Sequence, residues 1–267
     1  MMNDQLPPLT RDAFYGGRIT LDQPEEGFRG TSDAILLAAA VPPGCQHILE
    51  LGAGVGAATL ALAARRAVHG SDDDMHITAV ERDPVIAAIL TLNVANNQMD
   101  NRITVCVDDA LTARPPWAGC HDLVMINPPY NDAASTVSEN QQRLDAMAGD
   151  DLQTWINAGY RGLADKGRLV MISRADRLDE VMDGMHGKFG DLSLKAIHTR
   201  PDQPAKRVII SGRKGVAGPV HLLPPLMMRD ENNKDSQAMR VISHDAGRLE
   251  IIPPGRDIGR VRLPHRG

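Results

Sequence analysis

Two short segments gather the residues able to do chemistry. The first is Glu50-Leu51-Gly52-Ala53-Gly54-Val55-Gly56, set between an apolar stretch and an alanine- and leucine-rich one. Glycines at that spacing let the backbone and a following helix N-terminus approach a ligand closely. Alone, the turn can serve NAD, another nucleotide or simply a tight connection. The leading Glu50 narrows the choice, because a carboxylate repels a pyrophosphate and suits a ligand carrying an ammonium and a sulfonium. The second segment is Asn127-Pro128-Pro129-Tyr130. The Asn127 side-chain oxygen and the Pro128 carbonyl can both accept from one planar NH₂, and consecutive prolines stiffen the loop that presents them. Tyr130 can stack on an extruded base. An amine whose lone pair is delocalised into a ring is a poor nucleophile. The chemistry such a loop can do is to favour its rehybridisation and hold it in line with an electrophilic methyl group. No metal, nucleophilic cysteine or strong base is required.

Two acids extend the first segment. Glu81 ends a strand-like run, where a carboxylate can accept from both hydroxyls of a ribose; the competing reading is an exposed strand-end charge. Asp108-Asp109 ends the next run, where one carboxylate can meet an adenine amino group while the other starts a turn; Asp109 is the candidate. The nine histidines show no HxxxH or HxH pairing, and Cys45, Cys106 and Cys120 show no CxxC spacing. Neither a metal site nor a disulfide framework is expected. Trp117, Trp155 and the Met227-Met228 pair read as packing residues.

The elements that must position these residues follow a repeating βα pattern. A hairpin is expected around Gly16-Gly17, from about Phe14 to Phe28, then a helix capped by Thr31, Ser32 or Asp33 and ended by Pro42-Pro43-Gly44. His47–Leu51, Ile77–Val80, Ile103–Val107, Leu123–Ile126 and Gly167–Ile172 read as strands. Helices are expected over about 57–66, from Pro84 towards Asn96-Asn97, over about 151–163 and near 177–185. Further strands are expected near 192–198 and 207–210, and alternation at this spacing means a doubly wound α/β sheet. From Pro219 onward the pattern fades into proline, asparagine and charge, and the end of the chain is expected to be flexible.

At 267 residues, with 42% hydrophobic and 24% charged residues, the composition is that of an ordinary globular protein. No apolar run is long enough to span a bilayer, the first residues lack a secretory pattern, and a cytoplasmic location is expected. The net charge is -5, but the segment from His198 to Gly267 holds 13 Lys+Arg against 7 Asp+Glu. That basic portion can supply phosphate contacts or serve as a solvated tail. The expected organisation is an N-terminal hairpin and helix extension over 1–44, a cofactor-binding domain over 45–212 and a basic, partly flexible extension over 213–267.

With these residues placed, the chain resembles the class I methyltransferases carrying an NPPY motif, and more closely the bacterial tRNA(Val) adenine-N6 methyltransferase family. The resemblance runs from about Thr10 to Gly212 and includes Phe14-Tyr15-Gly16-Gly17-Arg18 and Gly27-Phe28-Arg29-Gly30-Thr31-Ser32-Asp33-Ala34-Ile35-Leu36-Leu37. It implies a Rossmann-like, seven-stranded sheet with its last strand antiparallel, S-adenosylmethionine as methyl donor, and an adenine beside a tRNA anticodon as substrate. It also implies that Thr31 and Asp33 cover the methionine end of the donor, a role that competes with helix capping. Methylation of a protein glutamine uses the same loop geometry, but such enzymes add an N-terminal helical domain, and only about 45 residues precede the first strand of the βα pattern here. A cofactor- or RNA-binding module without catalysis would need the glycine turn but not the complete NPPY loop.

Overall fold

A computed structural model describes residues 6–26, 29–70, 74–112, 115–129 and 151–254. The chain opens with a separate two-stranded hairpin, β1 (Leu9–Phe14) and β2 (Ile19–Pro24), paired antiparallel from Leu9↔Pro24 to Phe14↔Ile19. Its turn runs through Tyr15, Gly16 and Gly17, all at positive φ. Helix α1 (Ser32–Ala40) follows, capped by the Thr31 hydroxyl accepting from Asp33 N–H.

The expected alternation then appears: β3 (His47–Leu51), α2 (Ala57–His69), β4 (His76–Glu81), α3 (Pro84–Asn96), β5 (Ile103–Val107) and β6 (His121–Ile126). It continues with α4 (Leu152–Gly162), β7 (Leu163–Arg174), α5 (Leu178–Met185), β8 (Phe189–His198) and β9 (Arg207–Lys214). The sheet order is β10-β8-β9-β7-β6-β3-β4-β5, where β10 is Val220–Met227. Every neighbouring pair is parallel except those made by β9, which runs antiparallel between β7 and β8.

The seven expected strands are thus present with the seventh reversed, and the count is corrected to eight by β10. Periodicity does not reveal this strand because it is an edge: Val220 and Leu222 face solvent, only Leu226 is buried, and the register shifts across Pro224-Pro225. Helix α6 (Gln237–His244), capped by Ser236, follows it, and Leu249 N–H then donates to Ala39 O at the end of α1.

Alternate strand residues feed two cores, as the twofold side-chain period requires. Ile48, Leu123, Met125, Val170 and Ile172 pack with α1, α2, α3 and α6 on one face. Leu49, Val124, Ile126, Leu169 and Met171 pack with α4 and α5 on the other. With both faces covered, ligand access falls to the strand ends, and the carboxyl ends of β3, β4, β5 and β6 lie side by side.

Candidate active site

The glycine turn joins β3 to α2. Gly52 and Ala53 N–H both donate to Val80 O at 3.0 and 2.9 Å, pinning the turn to the end of β4. Gly52, Gly54 and Gly56 all take left-handed φ, at +71°, +55° and +91°. A side chain at Gly52 would place its Cβ 2.9 Å from the Trp155 ring, and one at Gly56 would collide with Leu90 Cδ1. These two glycines therefore answer to backbone conformation and to packing partners below the turn.

Glu50 is buried, and one of its oxygens accepts from the Thr59 hydroxyl in the first turn of α2. Burial pushes its carboxyl up to about 8, against the opposing effect of the Thr59 hydrogen bonds, and the nearby Glu81 charge adds to the rise. Glu81 has both oxygens aimed by backbone, one accepting from Gly54 N–H and the other from Asp83 N–H, each at 2.9 Å. Each oxygen keeps a further lone pair for a ligand hydroxyl.

Beyond β5, Asp109 is exposed and accepts from Leu111 N–H at 2.9 Å, while Asp108 accepts from Asp109 N–H at 2.8 Å. Both acids shape the turn after the strand. Because β5 and β6 lie on opposite sides of the β4-β3 pair, Asp109 and Asn127 flank the glycine turn from either side.

Asn127 directly follows β6, and its Oδ1 is buried without a hydrogen-bond partner among the described residues. Pro128 beside it is buried and Pro129 exposed. Tyr130, with the polar loop that follows it, lies outside the described residues.

On the fourth side, Gly30 rests against the start of α2: a Cβ there would sit 3.0 Å from Ala57 Cβ. Thr31 is exposed and spends its hydroxyl on the helix cap. Asp33 accepts from Arg207 Nε at 2.8 Å, tying the start of α1 to the start of β9. The structure thus brings Thr31, Asp33, Glu50, Gly52, Gly54, Gly56, Glu81, Asp109, Asn127 and Pro128 to one edge of the sheet.

A family model described as the methyltransferase small domain matches residues 31–198, from the cap of α1 to the end of β8. The chain belongs to that family. Similar curated proteins include the tRNA1(Val) (adenine(37)-N6)-methyltransferase of Haemophilus influenzae strain PittEE, 29% identical over 53% of this chain and 60% of that protein. The protein of the same name from Klebsiella pneumoniae strain 342 is 36% identical over 37% of this chain and 39% of its own length. The chain spans about 60% of the length of the first of these relatives.

Among solved structures, a predicted O-methyltransferase of Agrobacterium tumefaciens aligns with a TM-score of 0.67 at 24% identity, covering 81% of this chain and 98% of that one. A T. thermophilus 16S rRNA N2 methyltransferase in complex with AdoMet and guanosine aligns at 0.52 and 19%, covering 79% and 46%. These likenesses establish the class I methyltransferase fold.

Several residues that support these candidates carried no recognisable signal on their own. Thr59 stands as one hydroxyl in the otherwise apolar start of α2, nine positions after Glu50, a hint that only the fold resolves. Trp155 supports the turn from α4, and Arg207 partners Asp33 across most of the chain. Among the described residues, no group of side chains could hold a metal ion, and no helix is long and apolar enough to cross a membrane.

Proposed function

We propose that this methyltransferase takes S-adenosylmethionine as donor and methylates the exocyclic N6 amino group of an adenine in tRNA. The observation that carries the reading is Asn127 Oδ1, a buried acceptor with no partner among the described residues, placed beside the glycine turn. Leaving such an atom unpaired costs about 1–3 kcal/mol, a cost removed when a ligand N–H fills it.

The residues fit the donor. Three left-handed glycines let backbone come close to it, Glu81 offers oriented lone pairs to ribose hydroxyls, and the Glu50 carboxyl lies where a cationic ligand would favour its ionised form. When bound, the cofactor supplies a methyl group activated by the sulfonium.

The chain's own part is binding and orientation. Asn127 Oδ1 and the Pro128 carbonyl accept the two amine N–H bonds and direct the nitrogen lone pair out of the ring plane, stabilising the positive charge that gathers on nitrogen. Asn127 is a neutral amide and holds the proton without removing it. Once the nitrogen is cationic, the proton is acidic enough to leave to water. Adenine in tRNA is supported by the names of the relatives, and an extruded base is the form in which its N6 would reach Asn127.

The test is transfer of labelled methyl from S-adenosylmethionine to total tRNA and to total protein, followed by nucleoside analysis. Label in N6-methyladenosine of tRNA is expected. Label confined to protein would reject the RNA reading and favour a glutamine acceptor.

A further inference from the structure

Helix α3 and its C-cap carry three asparagines, Asn93, Asn96 and Asn97, and two of them substitute for a missing β-strand. Asn93 accepts Asp22 N–H at 2.7 Å and donates to Asp22 O at 2.9 Å. Asn97 does the same with Thr20, accepting its N–H at 3.0 Å and donating to its carbonyl at 2.8 Å. Each side-chain amide thus pairs with both polar groups of one residue, as a neighbouring strand would. The spacing matches: four helical residues rise about 6 Å, and two strand residues about 6.6–6.8 Å. Asn96 adds a bond to the Asp22 carboxylate at 2.8 Å. The edge of β2 turned away from β1 is closed in this way by a helix.

Asn93 differs from Asn97 in two respects. It is fully buried, and its amide nitrogen also donates to Val55 O at 3.0 Å, inside the glycine turn. The hairpin in turn holds the segment leading to α1: Gln23 Oε1 accepts Gly30 N–H at 2.6 Å, while Gln23 Nε2 and Arg29 both donate to Asp12. Gly30 lies against Ala57, the first residue after the turn. A closed circuit runs from the turn through Asn93 to β2, through Gln23 to Gly30, and back to the turn.

We infer that Asn93 is a positioning residue that couples the glycine turn to the N-terminal hairpin, so that occupancy of the turn and closure of the Gly30–Asp33 segment over it are one event. The inference rests on the donor assigned above. It adds a function for the hairpin: the hairpin is part of the donor site at one remove, holding the segment that faces the turn.

The experiment compares Asn93→Leu with Asn97→Leu in the full chain, measuring S-adenosylmethionine affinity by calorimetry and amide hydrogen exchange with and without the ligand. In the wild type the ligand is expected to slow exchange at Asp22 and Gly30 about tenfold or more. Asn97→Leu weakens the hairpin but keeps the bond to Val55, so affinity stays within about twofold. Asn93→Leu loses about tenfold in affinity and the ligand-induced protection of Asp22, the affinity change matching the loss of the one bond that reaches the turn, to Val55.

If Asn93→Leu does not fold, Gln23→Met makes the same test from the other side of the circuit. It should abolish protection at Gly30 while leaving that at Asp22, with affinity again down about tenfold. Equal losses of affinity in the two asparagine variants would reduce Asn93 to a structural clamp and overturn the inference. So would ligand binding in the wild type with no change in exchange at Asp22. A wild type that binds no S-adenosylmethionine overturns the donor assignment and the coupling together, whereas binding without hairpin protection overturns the coupling alone.

Discussion

Two asparagines beside the same glycine turn are used in opposite ways. In the α3 junction, Asn93 spends both amide atoms, making three hydrogen bonds to Asp22 and Val55 in a fully buried position. In the loop after β6, Asn127 keeps its Oδ1 buried and unpaired among the described residues. A satisfied buried amide fixes backbone against backbone and contributes specificity. An unsatisfied one is a standing cost, which the N–H of the proposed substrate would offset. On the proposed function, the difference separates the part of the site that holds shape from the part that meets substrate.

The largest effect expected from breaking that contrast is at the open acceptor. Asn127→Ala should lower turnover on tRNA roughly 100- to 1000-fold, the loss typical of one preorganised polar contact to the reacting group, with little change in donor affinity. Initial rates and calorimetry on the same preparation check it, and unaltered turnover would remove Asn127 from the chemistry.

Next comes the turn between the two asparagines. Gly56 combines a φ of +91° with a Cβ position already filled by Leu90, so Gly56→Ala should destabilise the protein by about 3 kcal/mol in denaturant unfolding. A shift below about 0.5 kcal/mol would mean that Leu90 yields easily and that packing does not fix the turn.

The smallest effect concerns Glu50, another buried polar side chain, whose carboxyl hydrogen-bonds Thr59 alone among the described residues. Its folded value of about 8 stands above the 4.5 of an ordinary glutamate. The unfolded chain therefore loses this proton at lower pH than the folded one. The group costs nothing below about pH 4.5 and destabilises the ligand-free fold increasingly as pH rises towards 8. Glu50→Gln should match the wild type near pH 4.5 and gain on it by roughly 1–3 kcal/mol by pH 8, while binding the cationic donor less well. Melting curves of the two proteins that stay parallel across this range would show that Glu50 ionises freely in the fold.

Much of this architecture was legible before any coordinates. The strand and helix order, the glycine turn and the Asn127 loop at a strand end follow from short-range patterns. Apolar periodicity, proline at the start of α3 and Thr31 at the cap of α1 act within a few residues of themselves, so local sequence is sufficient to express them. The glycine turn and the Asn127 loop pointed to a methyl donor facing a planar amine, in keeping with the methyltransferase family match, and the resemblance of the Phe14–Leu37 signature moved that amine towards adenine in tRNA.

What the tertiary structure alone decided are pairings between residues remote in the chain. The burial of Glu50 against Thr59, the Asp33–Arg207 ion pair, Trp155 beneath Gly52 and the addition of β10 at the edge of β8 have no local periodic signal. The same holds for the asparagines of α3, which read as the polar end of a helix until β2 is found beside them. A side-chain amide is equally at home in water and against a backbone edge. Which of these it meets depends on the fold that brings a partner within about 3 Å, and the residue type alone does not carry that information.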